Sequence, residues 1–183
     1  MLMIKRSFHI SHAVAASALL LAMSAPALAD PNSALMNAVV ATSQAHSYHI
    51  SMSGPSMSAE GDIVNPGKMH MLMKQGETII IRPDMYMKMG GKWKKIAGAG
   101  DTLDQTDAVK QMQAHRADYT SQDLGMRTIG GTSDHAYLVT NLKKNTKETV
   151  YVDSSGRIAG FQFGDTTMTF SKYGEAVSIV APM

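Results

Sequence analysis

Six methionines stand at spacing two in two triplets, Met69, Met71, Met73 and Met85, Met87, Met89, inside the stretch KMHMLMKQGETIIIRPDMYMKMGGKWKKI. Spacing two is the strand period, so each triplet places three thioethers on one face of a β-sheet. Thioethers do two kinds of chemistry. They are soft ligands that select Cu(I), and they form polarizable apolar walls that adapt to irregular shapes. A third use is plain core filling, although Ile79, Ile80 and Ile81 show that β-branched residues serve the same stretch. A copper site has Met69, Met71, Met85 and Met87 as its candidate donors, with His49 and His70 near in sequence. Same-face neighbours on one strand lie about 6.7 Å apart, so shared coordination needs thioethers converging from different strands. His70, between Met69 and Met71, points to the opposite face of a regular strand.

Other reactive residue types lack a reactive arrangement. Ser133-Asp134-His135 holds the three side chains of a hydrolase triad, but adjacent residues cannot adopt that geometry, and no G-x-S-x-G turn accompanies them. His46, His49, His70, His115 and His135 show no metal-binding spacing such as H-E-x-x-H. Gly90-Gly91 and Gly130-Gly131 precede predicted strands, whereas a phosphate cradle opens a helix. Glu60 and Asp62 read as a solvated strand face. Lys92, Lys94 and Lys95 around Trp93 read as a charged edge strand, which discourages sheet-to-sheet pairing. No catalytic residue and no cofactor is expected.

The positioning elements follow from periodicity and turn chemistry. A helix is expected from Pro31-Asn32-Ser33, with Leu35, Met36, Val39 and Val40 as its apolar stripe. Six strands are then expected as an antiparallel meander from Tyr48 to Ile96. Within it, a Gln75-Gly76 hairpin sets Lys74 opposite Glu77. Thr102-Leu103-Asp104-Gln105 has the form of a capping box, and Leu103, Val109 and Met112 give a second helix an apolar face to about His115. A polar passage, 116–124, leads into strands at 126–129, 135–141, 148–153, 157–163, 166–171 and 176–180. The fold class expected is α+β: a single curved antiparallel sheet of about 11–12 strands, an incomplete barrel, wrapped over two or three helices.

Composition limits partners and compartment. Lys5 and Arg6 precede an apolar segment, 13–23, too short to span a membrane, and Ala27-Leu28-Ala29 has the small-x-small form of a signal cleavage site. Removing residues 1–29 leaves one domain, residues 30–183, and takes two of the 17 basic residues and none of the 15 acidic ones. The balance becomes 15 against 15, with no long-range field to draw nucleic acid. Cysteine is absent, which excludes disulfides, thiol catalysis and an acylated N-terminal cysteine. No later stretch is long and apolar enough to cross a bilayer as a helix. A periplasmic protein, not membrane-spanning after signal removal, is expected.

Two segments carry a family resemblance. PGKMHMLMKQGETIIIRPDMYMKMGGKWKKI resembles the meander of periplasmic lipoprotein-carrier proteins of the LolA and LppX/LprG type. It shares a Pro-Gly-Lys strand start, a short hairpin, an aromatic at Tyr86 and a Gly-Lys-Trp turn. YVDSSGRIAGFQFGDTTMTFSKYGEAVSIVAPM is similar to the end of those chains, with its D-x-x-G turn, Tyr-Gly turn and V-x-I-x-x-P run. The resemblance covers most of residues 30–183 and implies helices lying as a lid over an apolar cavity that holds acyl chains, with no catalytic residue. This chain departs from the LppX/LprG branch in having no cysteine for a lipid anchor. The expected activity is binding or carriage of a lipid or other apolar molecule, with a possible envelope transport partner. The expected cavity wall is Met69, Met71, Met73, Ile80, Met85, Met87, Met89, Tyr86 and Trp93.

Overall fold

A computed structural model describes residues 30–101 and 108–182. The expected signal segment 1–29 and the capping box at Thr102–Gln105, with Leu103, lie outside the described residues. Helix α1 spans Pro31–Ser43. Its N-cap is Asp30, one residue before the expected cap, and the carboxylate accepts the Ser33 backbone N–H at 3.0 Å. Proline at the first helical position needs no amide partner there, which suits Pro31 to that place. The buried stripe is Leu35, Ala38, Val39 and Thr42. Val40, expected in the stripe, faces outward, because a helix turns about 100° per residue and carries it past the core.

Strands β1 (Ser47–Ser53), β2 (Ser58–Val64), β3 (Lys68–Met73), β4 (Gly76–Ile81), β5 (Asp84–Met89) and β6 (Lys92–Ile96) form the first meander. A 3₁₀ turn, Ala99–Asp101, follows, and helix α2 spans Ala108–Ala114. After a second 3₁₀ turn, Arg116–Asp118, come β7 (Tyr119–Ile129), β8 (Thr132–Asn141), β9 (Thr146–Val152), β10 (Ile158–Phe163) and β11 (Thr166–Ser171). All eleven strands make one antiparallel sheet in the order β6-β5-β4-β3-β2-β1-β11-β10-β9-β8-β7. The two meanders join where β1 pairs with β11. The result is an α+β incomplete barrel, open between its edge strands β6 and β7.

Three sequence expectations are corrected. The β3–β4 hairpin turns at Lys74-Gln75, with Met73 opposite Gly76 and Leu72 opposite Glu77, so Lys74 does not face Glu77. The strand at 126–129 begins at Tyr119, inside the passage read as polar. β7 is an edge strand, where Thr120, Gln122 and Asp123 remain solvated without loss, and a bulge at Leu124 restores its register. The segment 176–180 is extended without strand pairing, although Ile179 is buried.

The main core lies between the helices and one sheet face. It joins Leu35 and Val39 of α1 and Val109 and Met112 of α2 to Tyr48, Ile50, Ile63, Val139, Val150, Phe161 and Phe170 of the strands. A smaller cluster, Ile129, Ala136, Tyr151 and Ala159, packs on the other face. One buried hydrogen bond ties α1 to the sheet: Thr42 Oγ1, fully buried, accepts the Ile158 N–H at 2.8 Å. Tyr173 braces the same place, donating its hydroxyl to the Ile158 carbonyl under the Arg157 guanidinium, which lies 4.2 Å from the ring centre. Burial pushes the Tyr173 phenol up to about 12, so it remains a donor at neutral pH. Thr42→Val keeps the shape but leaves the Ile158 amide buried without its acceptor. A loss of about 2 kcal/mol, measured as a lower urea midpoint at unchanged m-value, is expected.

Candidate functional site: the methionine face

Residues directly opposite on antiparallel strands share a face, so the register assigns every side chain of the first meander. Tyr48 faces Ile63, Ile63 faces Met69, Met69 faces Ile80, and Ile80 faces Met85. One row higher, Ile50, Gly61, Met71, Thr78 and Met87 follow one another across the same strands. Tyr48, Ile50 and Ile63 belong to the core under the helices, so both methionine triplets and Ile80 lie on that inner face. Met52 and Met168, opposite each other on β1 and β11, extend the same surface. Neither was expected in the wall, because Met168 reaches it only through the pairing of the chain's first and last strands.

The inner face has two halves of different character. Across β1 and β8–β11 its side chains are sealed beneath α1 and α2, as Tyr137, Val139, Val150 and Phe161 show. Across β3–β6 the methionines are only partly covered. Met69, Met71, Met85 and Met87 are half-buried, while Met73 and Met89 are 39% and 66% exposed. On β4 between them, Ile80 and Thr78 are only 2% and 7% exposed. The thioether chains of β3 and β5 thus cover the β4 floor from both sides. Unbranched side chains with three rotatable bonds can lie across such a floor or swing away from it. Gly61 makes room for this arrangement, since a Cβ there would come within 2.7 Å of Met71 Sδ.

Tyr86 and Trp93 stand on the other face. Tyr86 pairs with Ile79, and Trp93 pairs with Lys88, in the alternate rows. The register therefore brings seven of the nine expected wall residues together and leaves these two outside. Their surroundings are polar and structural. His49 meets Asp62 at 2.8 Å, His70 meets Glu77 at 2.8 Å, and Lys88 meets Glu77 at 3.2 Å. Lys95 meets Asp84 at 2.7 Å. Lys88 lies 5.4 Å above Trp93, and Lys95 lies 5.9 Å above Tyr86. The His70 hydrogen bond, helped by Lys88, holds the Glu77 carboxyl below its usual range. Lys95 does the same for Asp84. These pairs clamp successive strands from outside, while on the inner face the methionine rows end at β6, where Lys94 stands opposite Met87 and Lys92 opposite Met89.

The four Cu(I) candidates fall on two strands that do not touch. Met69 and Met71 are on β3, Met85 and Met87 on β5, and Ile80 and Thr78 stand between them in register. Ser133, Asp134 and His135 are consecutive on β8 and find separate partners: Asp134 accepts from Thr132 at 2.7 Å, and His135 meets Asp123 at 2.8 Å. Glu148 of β9 faces Val139 on the inner side, and burial raises its carboxyl above the usual range. A raised carboxyl costs stability in the ionised form, so the penalty is present above its folded pKa and fades as pH falls toward the unfolded value. Glu148→Gln is expected to raise the thermal midpoint at pH about 7, with the gain disappearing below pH about 4, the unfolded carboxyl range.

No protein-family model matches the sequence, and no curated protein matches it. Solved structures do. The lipoprotein LppX of Mycobacterium tuberculosis superposes with a TM-score of 0.61 at 17% identity, over 81% of this chain and 97% of that one. LprF of Mycobacterium bovis superposes at 0.57 and 15% identity, over 83% of this chain and 96% of that one. The fold is the incomplete barrel of LppX and LprF. The likeness spans nearly the whole of both neighbours.

Proposed function

We propose that the protein is a non-enzymatic periplasmic carrier or binder of a lipid acyl chain or another apolar molecule, held against the methionine face. The observation that carries this reading is the position of the two triplets. They lie on the helix-facing side of the sheet, continuous with the packed core, yet remain half-covered where the core stops. A concave apolar surface lined by adaptable side chains suits a flexible hydrocarbon chain of variable shape. The wall comprises Met69, Met71, Met73, Ile80, Met85, Met87 and Met89, with Thr78 on its floor and Lys94 and Lys92 at its β6 margin. The fold shared with LppX supplies the helix-backed sheet on which the reading rests.

The same methionines serve copper less well. Thioethers from β3 and β5 must converge across two strand spacings of about 4.8 Å each, over the Ile80 and Thr78 side chains. An acyl chain needs no such convergence, because it contacts each side chain separately. The proposal takes residues 1–29 as a leader cleaved after Ala29, with the domain 30–183 acting outside the cytoplasm. Native mass spectrometry of protein isolated from the periplasm tests the proposal. Adducts of lipid mass that disappear after organic extraction are expected, and ligand-free spectra from repeated preparations would overturn it.

A further inference from the structure

The turns between strands fall at two opposite ends of the sheet, and their chemistry differs. Residues 54–57, 74–75, 90–91, 142–145 and 164–165 all connect strands at one end, as the pairings Ser53–Ser58, Met73–Gly76, Asn141–Thr146 and Phe163–Thr166 require. Nine large apolar side chains are exposed among the described residues. Six of them lie at this end: Met57, Leu72, Met73, Met89, Leu142 and Phe163. The turns of the opposite end, 65–67, 82–83, 130–131 and 153–157, carry none of the nine.

Positive charge collects at the same end. Lys74, Lys92, Lys144 and Lys147 are exposed there, and none has a carboxylate within ion-pair distance among the described residues. Lys143 is held by Asp118 at 2.8 Å. The acidic side chains at this end are Asp165 in the 164–165 turn, Glu60 near the start of β2, Glu77 opposite Leu72 and paired with Lys88, and Asp118 paired with Lys143. The strand ends also lead inward. Met73 and Met89 are the last residues of their triplets, so the exposed rim continues into Met71 and Met87, with Lys92 and Lys94 of β6 alongside.

We propose that this rim is a docking surface for an anionic phospholipid bilayer, with the apolar turn residues entering the headgroup layer and the lysines facing lipid phosphates. Charge complementarity selects the partner. A protein receptor has no need of unpaired lysines spread over three separate turns, whereas a laterally uniform anionic surface engages all of them at once. The inference goes beyond ligand binding and does not depend on it, because adsorption to a vesicle is measured whether or not the methionine face is filled.

Flotation of the purified protein with vesicles of phosphatidylglycerol and phosphatidylethanolamine is the test, with phosphatidylcholine vesicles as comparison. Binding to the anionic vesicles, lost at high salt, is expected. A variant combining Lys74→Gln, Lys92→Gln, Lys144→Gln and Lys147→Gln loses about fivefold in affinity per lysine, given the usual contribution of a lysine near such a surface. A variant with Met57→Ser, Met89→Ser and Leu142→Ser weakens binding while retaining its salt dependence. Lys68→Gln with Lys172→Gln, away from this rim, leaves binding unchanged. Equal binding to both vesicle types, or equal loss in the Lys68/Lys172 variant, overturns the proposal. So does self-association without vesicles that the serine variant abolishes, since the rim would then be an interface between copies.

Discussion

Gly61→Ala is expected to destabilise the protein by about 3 kcal/mol, read as a lowered denaturant midpoint with the sheet signal lost in one transition. A Cβ at this position would stand 1.9 Å from the His70 carbonyl oxygen and 2.8 Å from Met71 Cα. Those are backbone atoms of β3, so no rotamer change relieves the contact, and β2 must move away from its partner strand. Gly61 sits between Ile50 and Met71 on the inner face. The cost is therefore also local to the site, because separating β2 from β3 removes the floor on which Met71 lies. An exposed glycine such as Gly91, whose Cβ would meet nothing within 4 Å, lacks this steric penalty but has a φ of +77°. Its replacement by alanine is expected to cost only about 1 kcal/mol, from conformation alone.

Replacing Met71 and Met87 together by Asp is expected to weaken binding of an apolar ligand by on the order of a hundredfold or more, measured by displacement of a fluorescent fatty acid. Both residues flank Thr78 in one row of the inner face, so the two carboxylates would border the path of an acyl chain. Both are only partly buried, which lets the ionised forms reach water and the protein remain folded. Met71→Leu with Met87→Leu keeps volume and polarity, and near-native binding is expected. Trp93→Ala and Tyr86→Ala, on the outer face, are expected to leave binding within about twofold, because their contacts are with Lys88 and Lys95. A large loss in the outer-face pair with none in the aspartate variant would move the ligand to the other side of the sheet.

The methionine alternation was legible in the sequence because strand period alone assigns a face. Alternation also turns Tyr86 away from Met85 and Met87, for the same reason that it turns His70 away from Met69 and Met71. The family-like aromatic drew Tyr86 into the expected wall against that period. Trp93 is different in kind. Its side follows from the pairing of Lys88 with Trp93, which depends on the turn at Gly90-Gly91 and not on any local pattern. The β3–β4 hairpin shows how a register error can be harmless. A turn at Lys74-Gln75 moves the pairing by two residues from one at Gln75-Gly76, and two residues is a full strand period, so Ile80 faces the methionines either way.

The elements that sequence missed are those whose place is decided by pairing and not by a local pattern. β7 begins within polar residues because an edge strand has only one neighbour to satisfy, and its long partner β8 lies beyond the Gly130-Gly131 turn. Residues 176–180 alternate as a strand does, yet they pair with no described strand, and among them only Ile179 is buried. Met168 enters the inner face through the closure of β1 on β11, a contact between residues more than a hundred positions apart. The rim lysines belong to this class too. Scattered over separate turns, they look like ordinary solvated charge until the topology places those turns at one end.

Photo-crosslinking tests the central claim most directly. A fatty acid carrying a diazirine along its chain is bound to the purified protein, irradiated, and the labelled residues located by peptide mass spectrometry. Labels on Met69, Met71, Met85, Met87 or Ile80, suppressed by excess unlabelled fatty acid, are the predicted result. Saturable labels on Ile79, Tyr86 or Trp93, or no saturable labelling at all, would contradict a ligand site on the methionine face.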